Sequence, residues 1–183
     1  MSKSIDARIR KVAKGLSAQK AADAFVMARD NPASVSPAQR NKAAEFEATV
    51  EAMFLMAAVD GDLSSEELAQ VAASIDAFAS LDDSSRALDA PRKTIDTPAL
   101  LMTMNDKLGA DGWNKRLAAV AARLTDQESR AFAFRLAAGV AFVDDHVAHS
   151  EAAALEAMAS ALSISADESH EILYDVREAL FAD

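Results

Sequence analysis

The chain has 183 residues, with 19 Lys or Arg against 29 Asp or Glu, a formal charge of −10, and 51% hydrophobic residues. That is one ordinary domain with enough length for a real core, and too acidic for generic nucleic-acid binding. The absence of cysteine excludes a disulfide framework, a thiolate zinc site, an iron–sulfur cluster and a cysteine nucleophile, and it fits a reducing compartment.

With only 5 Gly, 4 Pro, 8 Phe, 1 Trp and 1 Tyr, the apolar content is mostly Ala, Leu, Val and Met, which favours helices over pleated sheets. An all-α fold is expected. The longest apolar runs, Ala52–Val59 and Leu136–Val143, are each less than half of the roughly 20 residues a membrane-spanning helix needs. Charges interrupt the apolar residues of the basic N-terminus, so no secretory signal is expected there and the expected location is cytoplasmic.

In chain order, Ile5, Ile9, Val12 and Leu16 recur at helical spacing, with Lys3, Arg8, Arg10, Lys11, Lys14 and Lys20 around them. Residues 1–29 read as a basic amphipathic N-terminal helix, ahead of a helical domain over 30–183. Seven cations against Asp6 and Asp23 give residues 1–29 a net +5, which leaves −15 for residues 30–183. Such a helix either docks its apolar stripe on the domain or lies against an anionic membrane with its lysines at the headgroups. Its cations can also meet the acidic body of a neighbouring molecule, giving a homo-oligomer that salt weakens.

Asn31-Pro32 and Ser36-Pro37 punctuate the chain, with Ser36 placed to cap a helix whose first residue is Pro37. Ser64 with Glu67, Thr125 with Glu128, and Ser165 with Glu168 fit the reciprocal capping box, and Thr97-Pro98 marks a further start. Helices are expected at about 4–29, 37–59, 64–80, 97–108, 112–123, 126–143, 148–162 and 166–181. Residues 81–96 read as the long connector, with room for a short helix at 85–89. Phe25, Phe46, Phe54, Phe78, Phe132, Phe134 and Phe142 fall in helical apolar patterns and read as core. Trp113 follows Gly109-Ala110-Asp111-Gly112, which lacks the ending of a phosphate loop, and reads as a packing anchor. His170 reads as an exposed helical residue.

An offset of 84 residues lays Ala52–Val59 over Leu136–Val143 and Asp60 over Asp144. The register continues through Leu63 on Val147, Glu67 on Glu151, and Ala69, Ala73 and Ala77 on Ala153, Ala157 and Ala161. Both copies read as helix, acidic turn and helix with a small-residue stripe. Alanine at every fourth position suggests close helix approach and a bundle of two pseudo-symmetric helix-turn-helix repeats.

The turns are AVDGDLSSEEL at Ala58–Leu68 and FVDDHVAHSEA at Phe142–Ala152. An apolar helix ending in Asp-Gly-x-Leu-Ser-Ser-Glu-Glu and repeated in degenerate form resembles the TerB-like tellurite-resistance proteins. Ile95–Pro98 (Ile-Asp-Thr-Pro) and Ala161–Glu168 (Ala-Leu-Ser-Ile-Ser-Ala-Asp-Glu) add to the resemblance, which covers most of residues 38–175. It implies an all-helical duplicated domain with an acidic surface, no enzymatic reaction, and a role in tellurite or stress resistance. It further implies protein partners in membrane-associated complexes, a place in the cytoplasm or at the inner face of the membrane, and a divalent cation at the acidic turns.

From the residues themselves, Asp60, Asp62, Glu66 and Glu67 crowd one turn, and their repulsion must be relieved by solvent, helix N-termini, protonation or a cation. Oxygen ligands suit calcium or magnesium, which take about six oxygens, more than one turn supplies. Asp60, Asp62 and Ser64 stand at places one, three and five of an EF-hand loop, but Gly61 and Val71 at places two and twelve break that pattern. The second turn offers Asp144, Asp145, His146, His149 and Glu151, a donor set compatible with zinc, nickel or copper. Against these stands a purely structural reading: Asp60 and Asp144 cap or end helices, and Glu67 closes a box with Ser64 worth about 1 kcal/mol. Ala148 occupies the place of Ser64 in the second copy and has no capping oxygen. A third possibility leaves the carboxylates free of metal as an acidic docking surface for a protein partner.

Overall fold

The computed structural model describes residues 18–61, 63, 68–69, 71–75, 95–142 and 148–181. Seven helices are given end to end: α1 (Ala18–Asp30), α2 (Pro37–Ala57), α3 (Thr97–Asp111), α4 (Trp113–Arg123), α5 (Gln127–Ala141), α6 (His149–Ala161) and α7 (Ala166–Phe181). Residues 68–69 and 71–75 are also helical, and no strand occurs among the described residues. The protein is all-α, and no described helix is long and apolar enough to cross a membrane.

Helix α2 starts where the sequence says it should. Ser36 sits in extended backbone, its side chain accepts the Gln39 N–H at 3.2 Å, and the Gln39 side chain accepts the Ser36 N–H at 2.8 Å. Pro37 takes a first-turn place where its missing N–H would have no partner anyway. From Ala48 to Met56 every residue of α2 is buried, and on α5 so is every residue of Phe132–Ala141 except Arg135 and Val140. These two apolar helices pack on each other at the centre. They end at Ala57 and Ala141, 84 residues apart, which matches the offset at which their sequences align.

The other helices cover this pair. Helices α1 and α4 lie on α2, while α6 and α7 lie on α5. Phe25 of α1 meets Phe46 of α2 with ring centroids 5.2 Å apart. Ile172, Val176 and Leu180 form a buried stripe on α7 at four-residue spacing, the pattern of a surface helix with one apolar face. Each fully buried Leu, Phe or Met of this core contributes about 1.5–3 kcal/mol.

Several starts differ in detail from the capping pattern. At α5 the cap is Asp126 rather than Thr125: its carboxylate accepts the Ser129 N–H at 2.8 Å and the Ser129 hydroxyl at 2.9 Å. A carboxylate there also meets the positive end of the helix dipole, which a threonine hydroxyl does less well. Asp126 consequently has a pKa held below the carboxylate range, chiefly by that backbone N–H. At α3 the cap is Asp96, accepting the Ala99 N–H at 3.2 Å, and Thr97 is a buried first-turn residue. Ser165 does accept the Glu168 N–H at 3.2 Å, but the Glu168 carboxylate takes the Gln127 amide at 2.9 Å and so ties α7 to the start of α5.

Where it is described, the small-residue stripe is only partly turned inward, with Ala73 and Ala161 half-buried. Ala153 and Ala157 are exposed, as is Ala69, and α6 buries Ala154, Leu155, Met158 and Ala159 instead. Burial of the leucine and methionine removes more apolar surface from water than an alanine face would, and that sets the rotation of α6. Residues 1–17, Phe78, Ala77, the connector 81–94 and the Ser64–Glu67 box lie outside the described residues.

Candidate functional site

The first acidic turn follows α2, whose residues from Ala48 to Met56 are all buried. After Ala57 the chain turns through Ala58–Gly61, closed by the Gly61 N–H on the Ala58 carbonyl at 3.1 Å. Gly61 has φ +85°, a left-handed conformation that a residue with a side chain adopts at a cost. The turn exposes Asp60, whose carboxylate makes no hydrogen bond or ion pair with any described residue. Val71, at the twelfth place of the EF-hand comparison, is a core residue.

At the second turn, His149 is the exposed first residue of α6, and Glu151 follows two places on. Glu151 Oε2 accepts the Ala148 N–H at 2.7 Å, one half of a capping box whose other half Ala148 lacks the oxygen to make. Asp62, Glu66, Glu67, Asp144, Asp145 and His146 lie outside the described residues. Among the described residues no three His, Asp or Glu side chains are gathered as they would be around a metal ion.

The structure adds a charge cluster that the motif reading passed over. Glu51, in the apolar centre of α2, is 1% exposed and accepts from Arg116 of α4 at 2.6 Å and from Arg123 of α4. Around this core, Arg116 reaches Asp111 at 3.1 Å, Lys115 reaches Asp111 at 2.6 Å, and Lys107 reaches Glu47 at 3.0 Å. Burial pushes the Glu51 carboxyl up, but the hydrogen bonds from Arg116 and Arg123 outweigh it and leave the pKa below the usual value. Glu51 in turn raises the pKa of Arg116. Asp111 is lowered by the Lys115 ammonium and then by Arg116.

The signal for this cluster was present in the sequence: Glu51 is the single charge between Ala48 and Val59, and Arg116 and Arg123 are two helical turns apart. Trp113 works beside it. Its indole Nε1 donates at 2.9 Å to the Leu55 carbonyl in the last turn of α2, where carbonyls run out of helical partners. The packing anchor read from the sequence is therefore also a hydrogen-bonded clasp between α4 and α2. His170 is exposed on α7.

Chemically, the first turn offers Asp60, a carboxylate unengaged by any described residue, and α6 offers the exposed imidazole of His149, whereas the buried Glu51 carboxylate is already paired with Arg116 and Arg123. Comparison of the chain with protein-family models, with curated proteins and with solved structures finds no match.

Proposed function

We propose that this chain is a non-enzymatic, TerB-like protein of tellurite or general stress resistance that binds a divalent cation through its acidic turns and acts in a membrane-associated complex. The observation that carries the reading is Asp60: an exposed carboxylate at the end of a rigid, buried helix, unengaged by any described residue. A carboxylate kept for helix capping accepts backbone N–H groups, as Asp126 and Asp96 do here. In this reading two pseudo-symmetric repeats bring the turns together, with Asp60, Asp62, Glu66 and Glu67 suited to calcium or magnesium. Asp144, Asp145, His146, His149 and Glu151 suit zinc or nickel. The basic first segment supplies peripheral contact with anionic lipid at the inner face of the membrane.

Titration calorimetry of the metal-stripped full chain with calcium, magnesium, zinc and nickel tests this. Heat of binding that is lost in Asp60→Asn with Glu67→Gln, or in His146→Ala with His149→Ala, supports the cation. Undetectable binding at millimolar ion overturns it.

A metal-free adaptor with an acidic docking surface is the second reading. It is favoured by Glu151, whose oxygen is already engaged by the Ala148 N–H as a cap. Sedimentation with vesicles containing phosphatidylserine, comparing the chain with its Arg10→Glu, Lys11→Glu, Lys14→Glu variant, tests the membrane contact. Equal recovery in the supernatant removes it.

A further inference from the structure

Along one flank of α3, Leu63, Leu68 and Ala72 face Pro98, Leu101 and Met102 across an open groove of about 540 Å³. Its floor belongs to the core, since Leu101 is buried and Leu63, Leu68 and Ala72 pack against the core residues. Its lip does not: Met102 is 70% exposed, a large apolar side chain left in water. Asp106 lines the groove, and Asp60 is the chain neighbour of Gly61, another lining residue; both acids are exposed. The result is an apolar trough with acidic edges, the shape and charge that receive an amphipathic helix with basic flanks. Methionine at such a lip adapts to the side chains it meets.

The chain carries such a segment itself. Ile5, Ile9, Val12 and Leu16 recur at helical spacing, and Lys3, Arg8, Arg10, Lys11 and Lys14 flank them. Its own groove is awkwardly placed for it. Leu16 is two positions ahead of α1, and α1 stands across a cleft from the other flank of α3, with Phe25 and Arg29 lining it opposite Ala99, Leu100 and Thr103. At 3.6 residues per turn, that set and the Pro98, Leu101, Met102 set stand on nearly opposite sides of α3. A neighbouring molecule's groove is free of this obstacle.

We infer that the groove receives residues 5–16 of a second copy of this chain, with the apolar stripe on Leu101 and Met102 and the cations at Asp60 and Asp106. Each molecule offers one segment and one groove, so the contact is head-to-tail and leads to rings or open chains. Charge complementarity makes it sensitive to salt. It rests neither on cation binding nor on lipid contact, both of which would compete with it for Asp60 and for the basic segment, and the same association is expected in the presence of a chelator and in the absence of lipid.

Analytical ultracentrifugation of the full chain at low salt and at about tenfold higher salt is the test. The expected result is at least a doubling of the monomer mass at low salt, reversed at high salt. Met102→Glu, at an exposed position, and Ile9→Glu each give a monomer with unchanged helical circular dichroism. Mixing the two variants restores a 1:1 pair, because one still has a groove and the other still has a segment. A monomeric wild-type chain at low salt overturns the proposal, as does association that survives in either variant or a mixture that stays monomeric.

Discussion

Glu51 of α2 and Arg116 of α4 meet at 2.6 Å, with the Glu51 side chain 1% exposed. A buried pair of this kind adds little net stability over an apolar pair of the same volume, but breaking it strands a charge. Arg116→Met leaves Glu51 with Arg123 alone and is expected to cost about 3 kcal/mol. Replacing both residues, as Glu51→Met with Arg116→Leu, is expected to cost less than the single change. Urea unfolding followed by circular dichroism reads both, and a double variant weaker than Arg116→Met would refute this account of the cluster.

Acid should unfold the protein through the same carboxylates. Glu51, Asp111 and Asp126 all have folded pKa values below their ordinary 4.5, 3.8 and 3.8. The unfolded chain therefore binds more protons than the folded one in the range below those values. The stability these groups contribute is fully present above the ordinary values and is lost as pH falls through the folded ones. The urea midpoint should fall steeply below about pH 4, and Glu51→Gln should flatten that slope.

Trp113 is the only tryptophan, so its fluorescence reports on the junction of α2 and α4. Trp113→Phe keeps an aromatic ring but leaves the Leu55 carbonyl without the indole N–H. The expected loss is about 1 kcal/mol, read by thermal unfolding followed by circular dichroism. In the wild type, the emission should shift red in the same transition that removes the helical signal, as one cooperative unit requires.

Helix α6 has a weak cap at each end. Ala148 provides no side-chain acceptor at its start. At its other end the Ile164 N–H bonds to the Ala159 carbonyl and the Ser163 N–H to the Ser160 carbonyl, a Schellman motif with Ser163 at φ +58°. That place favours glycine. Ala148→Ser and Ser163→Gly are each expected to add about 0.5–1 kcal/mol, and to add independently because the helix keeps them apart. A loss of stability in Ala148→Ser would mean that Glu151 is not acting as its capping partner.

Elements governed by short-range chemistry were readable from the sequence. Ser36, Pro37 and Gln39 announce α2 within four residues, and the aligned ends of α2 and α5 follow from two apolar runs 84 residues apart. What sequence could not rank was competition between neighbours: Thr125 against Asp126, or the alanine stripe of α6 against Leu155 and Met158. Those choices depend on dipole strength and on how much surface a packed neighbour covers. Glu51 was the larger omission, because a lone acid in an apolar helix has meaning only once Arg116 and Arg123 stand opposite it. Of the proposed ligands, Asp60 and His149 are exposed, and Glu151 bonds a neighbouring amide.

Helices α3 and α4 are joined by Gly112 alone, at φ +79°, and Asp111 on one side of that joint grips Lys115 and Arg116 on the other. The joint is thus one residue long and is bridged by ion pairs. One of the two helices carries Met102 and the other carries Trp113, Arg116 and Arg123. In the proposed assembly, a helix seated at Met102 would therefore adjoin a joint that leads directly to the ion pairs α4 makes with Glu51, and the Trp113 indole stands where a shift of that joint would be read.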